Sequence, residues 1–144
     1  MRYDEIRPGT FLARPNRFVA RVDLGEGTVD CHVKNTGRCR ELLWPGVPVW
    51  VQMSAAPGRK TCCDLVAVQK GERIVNIDSQ APNRVAAQWL QSGGLGFIPT
   101  LLRPETRHGD SRFDFYLVAP GRRMFLEVKG GTLGQADVAY FPHA

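Results

Sequence analysis

A chain of 144 residues is long enough to bury a real core, as one ordinary domain or two small ones. With 43% hydrophobic and 23% charged residues it has a globular composition, which argues against a disordered or low-complexity chain. The formal net charge of +5 leans toward a polyanionic partner, no apolar run reaches the length of a membrane span, and the start (Met1-Arg2-Tyr3-Asp4-Glu5) lacks the shape of a signal peptide, so a cytoplasmic location is expected.

The first alternation of apolar and polar residues runs through Phe18, Ala20, Val22 and Leu24. Gly25-Glu26-Gly27 then turns the chain, and Val29, Cys31 and Val33 resume the two-residue period, which predicts two strands joined by a tight loop. Phe18 lies on the apolar face of its strand and is expected in the core. Residues 39–43 suit one helical turn, ended by Trp44-Pro45-Gly46. A strand follows through Val47, Val49, Val51 and Met53, then two more around Leu65, Val66 and Val68 and around Ile74, Val75 and Ile77. Five or six short strands in about eighty residues, with turn signals between them, predict a small closed barrel over residues 1–80.

Basic residues gather at the predicted loops and strand ends. Arg14 and Arg17 flank Pro15-Asn16; Lys34, Arg38 and Arg40 surround Asn35-Thr36-Gly37; Arg59 and Lys60 follow Pro57-Gly58. Side chains at such positions converge on a partner more readily than those on a helix's solvent face, although each one singly also fits ordinary solvated surface. The four cysteines, Cys31, Cys39, Cys62 and Cys63, form no CxxC pair. A zinc site from Cys31, His32, Cys39 and Cys62 matches no standard spacing, and reduced thiols suit them better, with Cys31 in the core.

At Pro82-Asn83 the pattern changes. Asn83 suits a helix N-cap, Val85 with Trp89 and Ala86 with Leu90 stand four apart, and Gly93-Gly94 stops the run. This amphipathic helix opens a second domain, with the boundary between residues 78 and 83 and the domain itself over 81–144. A loose stretch to about His108 follows. Then Phe113, Phe115 and Leu117 alternate with Arg112, Asp114 and Tyr116, while Met124, Leu126 and Val128 alternate with Phe125, Glu127 and Lys129, around the turn dipeptide Pro120-Gly121. One helix and one hairpin leave a sheet uncovered, so the chain reads as truncated at its C-terminus.

The hairpin carries the candidate chemistry. A two-residue loop would set Asp114 opposite Glu127. Pro-Gly suits a type II turn, which splays hairpin strands, so a four-residue loop through Arg123 is expected instead, with Asp114 opposite Lys129 and Tyr116 opposite Glu127. In both registers Asp114, Glu127 and Lys129 share a face. Paired carboxylates beside a lysine suit a hard divalent cation such as Mg²⁺ or Mn²⁺, with the lysine orienting a water or countering phosphoryl charge. As a bare spacing the same residues fit a solvent-facing charge ladder better, with Asp114 and Lys129 as an ion pair.

Several ordered stretches resemble the sugar fermentation stimulation protein A family of bacteria and archaea: Arg14-Pro15-Asn16-Arg17-Phe18, His32-Val33-Lys34-Asn35-Thr36-Gly37, Arg59-Lys60-Thr61, Val75-Asn76-Ile77-Asp78-Ser79, Gly109-Asp110-Ser111-Arg112-Phe113-Asp114-Phe115, Glu127-Val128-Lys129 and Tyr140-Phe141-Pro142. The resemblance implies an N-terminal OB-fold barrel followed by an α/β domain of the PD-(D/E)xK nuclease type, here only its N-terminal part. It implies a DNA-binding protein with a regulatory role in sugar (maltose) metabolism. It maps the nuclease-type acidic position to Asp114, the E-x-K element to Glu127 and Lys129, and an extra acidic position to Glu105. After Phe-Pro this chain has His143 where the family tends to carry an acid.

Three readings follow. In the first, the barrel binds DNA through Arg14, Arg17, Lys34, Asn35, Arg38, Arg59 and Lys60, with Arg112 from the second domain and with Phe18 or Trp50 for stacking. The second is a Mg²⁺-dependent nuclease with Asp114, Glu127 and Lys129 catalytic and with Asp114, Glu127 and Glu105 as metal ligands. The third is an RNA-binding or regulatory interaction module, since OB barrels also take RNA and proteins.

Overall fold

The computed structural model describes residues 1–35, 37–54, 58–135 and 138–141, so Thr36, Pro57, Pro142 and His143 lie outside the described residues. The chain divides into two compact units, Arg2–Ser79 with Gly131–Ala144, and Gln80–Gly130 with Met1.

The first unit is built on strands β1 (Ile6–Asn16), β2 (Val19–Asp23), β3 (Thr28–His32), β4 (Pro48–Met53), β5 (Cys63–Lys70) and β6 (Arg73–Asn76), hydrogen-bonded in the order β3-β2-β1-β4-β5-β6. A parallel pairing of β3 with β5, Cys31 opposite Cys63 and His32 opposite Asp64, closes the first five into a barrel. The closed barrel is therefore the predicted one, but β1 is an addition. It pairs antiparallel with both β2 and β4, and its register shifts near Ala13 and Asn16, where bulges bend so long a strand around the barrel. Gly9 permits the close approach: a Cβ there would lie 2.6 Å from Val22 Cγ1 and 2.8 Å from the carbonyl oxygen of Asp23. A short hairpin, β10 (Leu133–Gln135) with β11 (Val138–Tyr140), completes the described part of this unit.

Alternation decides what fills the barrel. Ala20, Val22, Cys31, Val49, Val51, Cys63, Leu65 and Val68 all point inward and are completely buried. Cys39, Leu42 and Leu43 cap this core from the predicted turn, where the N–H groups of Leu42 and Leu43 both donate to the Cys39 carbonyl. All four cysteines are free thiols, and the Sγ atoms of Cys31 and Cys63 meet 2.7 Å apart at the barrel closure.

The second unit contains helix α1 (Ala81–Gln91) and a three-stranded antiparallel sheet, β7 (Leu101–His108), β8 (Ser111–Ala119) and β9 (Arg122–Leu126), in that order. The stretch before His108 is thus a strand, and with one helix among the described residues this unit is mostly strand. Leu90, Phe115 and Leu117 form its buried core, flanked by Leu102, Met124, Leu126 and Val128. Phe113 departs from the alternation: its ring meets Phe125, 4.9 Å between centroids. No helix among the described residues is long and apolar enough to cross a membrane.

Two local expectations are corrected. Helix α1 begins at Ala81 after Gln80, with proline in its first turn and no side-chain cap, so Asn83 lies inside the helix rather than at its N-cap. The β8–β9 loop is the two-residue one, since Ala119 pairs with Arg122. Gly121 supplies a φ of +70°, which a Pro-Gly type II turn requires at its second central residue, and a β9 of only five residues tolerates the resulting splay.

Candidate nucleic-acid interface

Arg14, near the end of β1, builds the first candidate site by tying loops together. Its Nη1 donates to the carbonyl oxygens of Gly37 (2.8 Å) and Arg38 (2.6 Å), and its Nη2 to those of Arg17 (2.7 Å) and Asn35 (2.8 Å). One planar guanidinium thus clamps the β1–β2 turn against the segment after β3, a task suited to its fixed fork of donors. The Asn35 side chain closes a local turn by accepting the Gly37 N–H at 2.8 Å. That amide is therefore not free to meet a phosphate.

The clamp frames a hollow of about 290 Å³ lined by Arg14, Asn16, Arg17, Arg38, Arg40 and Leu43. Arg17, Arg38 and Arg40 are exposed, and among the described residues no carboxylate pairs with any of them. Beside them Phe18 is 46% exposed, with the Arg17 guanidinium carbon 4.8 Å from its ring centroid. This corrects its expected burial. Phe18 sits in the turn before β2, where its N–H donates to Asn16 Oδ1, so the strand's inward phase begins only at Ala20. Trp44, 63% exposed in the turn after Leu43, was passed over in the sequence as a helix stop. Arg40, one of the basic loop residues in the sequence, joins Arg17 and Arg38 in lining the hollow.

Other predicted contacts are engaged elsewhere in the same unit. Lys34 reaches Asp64 Oδ2 at 3.2 Å and Asp78 Oδ2 at 3.5 Å, and Arg59 pairs with Asp64 Oδ1. Burial opposes ionisation of Asp64, but hydrogen bonds and charge from Arg59 and Lys34 outweigh it and hold the carboxyl below its ordinary range. Lys34 and Arg59 therefore neutralise buried acids. Lys60 is exposed.

In the second unit the β8–β9 ladder ends at Phe115 opposite Leu126, which leaves Asp114 and Glu127 as the next opposed positions. Asp114 Oδ1 accepts from Asn83 Nδ2 on α1, and Oδ2 from the Val128 N–H, both at 2.7 Å. Lys129 Nζ donates to Glu127 Oε1 at 3.0 Å, so the ion pair is Lys129 with Glu127 and not with Asp114. Glu105 pairs instead with Arg112, Nη2 to Oε2 at 2.8 Å, both side chains well exposed. Among the described residues no three His, Cys, Asp or Glu side chains gather closely enough to hold a metal ion, so the expected trio of Asp114, Glu127 and Glu105 is not assembled. Two hard oxygen donors at one sheet end still fit a largely hydrated divalent ion.

Residues 12–77 match the model of the SfsA N-terminal OB domain, and residues 80–144 that of the sugar fermentation stimulation protein RE domain. All 144 residues align at 49% identity with a sugar fermentation stimulation protein homolog of Ruminiclostridium cellulolyticum, covering 64% of that relative. A homolog of the same name from Desulfitobacterium hafniense is 51% identical over 144 residues, with 63% of its length covered. The chain thus spans less than two thirds of these relatives. A solved structure of Pyrococcus furiosus SfsA in complex with Ca²⁺ matches 99% of the chain with a TM-score of 0.86 and 27% identity, covering 62% of that protein.

Proposed function

The chain belongs to the sugar fermentation stimulation protein family, SfsA, and from that premise we propose that it binds DNA through the arginine-lined hollow of its OB barrel. The observation that carries this reading is the set Arg17, Arg38 and Arg40, three exposed guanidinium groups around one hollow with no carboxylate partner among the described residues. Guanidinium groups matched to phosphate oxygens release counterions when they bind, so affinity must fall with salt. Replacing all three arginines by alanine is expected to weaken binding at least tenfold and to flatten the log–log salt slope by about 2–3, at about 0.9 per phosphate contact on duplex DNA. An unchanged slope in the triple variant would overturn the assignment. A regulatory role in sugar (maltose) metabolism belongs to the same proposal and rests on the family name.

A second reading, a Mg²⁺- or Mn²⁺-dependent nuclease of the PD-(D/E)xK type, is supported by the β8–β9 register, whose last pair, Phe115 with Leu126, is followed by Asp114 on one side and Glu127 on the other, and by the Ca²⁺ in the solved structure of Pyrococcus furiosus SfsA. Asp114 and Glu127 would hold the ion, which when bound supplies a Lewis acid for the scissile phosphate. Asn83 and the Val128 N–H fix the Asp114 carboxylate, and Lys129 would orient a water in this reading. Cleavage of plasmid DNA with Mn²⁺ that disappears in Asp114→Ala supports this reading. Equal cleavage by that variant identifies a contaminant and sinks it.

A further inference from the structure

We infer that the hollow takes an unpaired DNA strand rather than a closed duplex, with backbone phosphates at Arg17, Arg38 and Arg40 and bases stacked on Phe18 and Trp44. This inference rests on the DNA-binding reading and narrows its substrate class. Among the exposed aromatic side chains of this unit, which include Tyr140 and Phe141 at 45%, Phe18 at 46% and Trp44 at 63% are the two that directly follow residues lining the hollow, Phe18 after Arg17 and Trp44 after Leu43. The barrel core is filled by aliphatic and cysteine side chains, with Phe11 as its one aromatic ring among the described residues.

Both rings stand on fixed backbone. The Phe18 carbonyl accepts the Val33 N–H at 2.7 Å, and its own N–H donates to Asn16 Oδ1 at 2.9 Å. The Trp44 carbonyl accepts the Val47 N–H at 3.1 Å, and two residues on the Gly46 N–H donates to the Phe11 carbonyl at 2.8 Å. Rings held this way need little ordering when a ligand arrives. Glu41, the acid nearest in sequence to these arginines, accepts from Thr132 Oγ1 at 3.4 Å. Cation and aromatic are also already combined, with Arg17 over the Phe18 ring.

A duplex presents phosphates to such a surface but keeps its base faces stacked inside. Only an unpaired strand offers the π-faces that exposed rings can use, and every base has one. The arginines therefore serve both forms of DNA, and the aromatics serve only one.

Fluorescence anisotropy of the protein with a labelled oligo-dT strand and with a duplex of equal length, at one salt concentration, tests this. The strand is expected to bind about tenfold tighter or more. Phe18→Leu and Trp44→Ala should each weaken it about fivefold or more, within the range for loss of one stacked base. Duplex affinity and the salt slope should stay unchanged, and Phe18→Tyr should restore strand binding. Salt-dependent binding led by the duplex, or aromatic variants that weaken both probes alike, overturns this inference and leaves the DNA-binding reading standing. Binding to neither probe, or binding indifferent to salt, overturns both.

Discussion

Arg14 and Arg38 are both arginines at the same hollow, yet their roles are opposite. Arg14 donates to four carbonyl oxygens, while its Nε–H is buried without a partner among the described residues. Arg38 offers its guanidinium to solvent. Arg14→Lys cannot reproduce the fork, so it is expected to destabilise the protein by about 1.5–3 kcal/mol, whereas Arg38→Ala should change stability by less than about 0.5 kcal/mol while weakening DNA binding. Urea denaturation of both variants checks this, and equal stabilities would contradict the division. The same division limits what sequence could show of the site. Loop arginines and lysines look alike as letters, and only the fold separates Arg14, Lys34 and Arg59, which hold carbonyls and acids, from Arg17 and Arg38. The two-residue period predicts Asp114, Glu127 and Lys129 on one face, since either even loop keeps them together. Which loop forms was not legible, because it depends on whether Gly121 takes a positive φ. Asn83 as the anchor of Asp114 was hidden by its good N-cap chemistry. Asp114→Ala, which strands the Val128 N–H, should cost about 1–2 kcal/mol by thermal or chemical melting, against a near-neutral Glu127→Gln.

Among the elements, β1 shows how tertiary context overrides local pattern. It contains Pro8, Gly9 and Pro15, so its sequence lacks a strand's apolar–polar alternation, although its exposure alternates from Ile6 to Phe11, its one buried side chain. Pairing on both sides makes it a strand regardless, and Gly9 is what permits it. Gly9→Ala forces a Cβ against the Asp23 carbonyl oxygen, which belongs to the paired backbone and cannot swing aside. A loss of about 1–3 kcal/mol is expected in equilibrium unfolding, and a neutral substitution would show that the β1–β2 contact is looser than described. Strand β7 was missed for a related reason: it is polar, mostly exposed and interrupted by Pro104 and by Glu105 at φ +50°, and pairing with β8 defines it. The barrel strands with strict alternation were legible throughout. At the closing seam, Asp64 faces His32 across β3 and β5 and is held ionised by Arg59 and Lys34. Its pKa is lower folded than unfolded, so the stability it contributes is complete well above the unfolded carboxylate value of about 3.9 and is lost as pH falls below that toward the folded value. Melting temperature measured from pH 6 to pH 2.5 should fall less steeply below about pH 4 in Asp64→Asn than in the parent, and parallel curves would show that Asp64 is not the group responsible.

At the scale of the whole molecule, the two units have very different interiors. Among the described residues fourteen buried ones form the barrel core, closed on itself so that no strand among the first five has a free edge at the seam. In the unit from Gln80 to Gly130 the buried apolar core is Leu90, Phe115 and Leu117, and β7 and β9 are both edge strands. Burial of apolar surface supplies most of the driving force for folding, and local opening follows where buried contacts are few. Native-state hydrogen exchange should therefore rank the amides by unit. Those of β1, β4 and β5, paired on both sides around the barrel, should exchange slowest, near the global unfolding limit. The amides of β8 should come next and those facing outward from β7 and β9 fastest among the paired strands. Partial urea should accelerate exchange in the second unit before the barrel, because the smaller core opens at lower free energy. If β8 proves as protected as β5, or if both units gain exchange together at every urea concentration, the molecule unfolds as one cooperative block and the inequality of its two cores does not govern its dynamics.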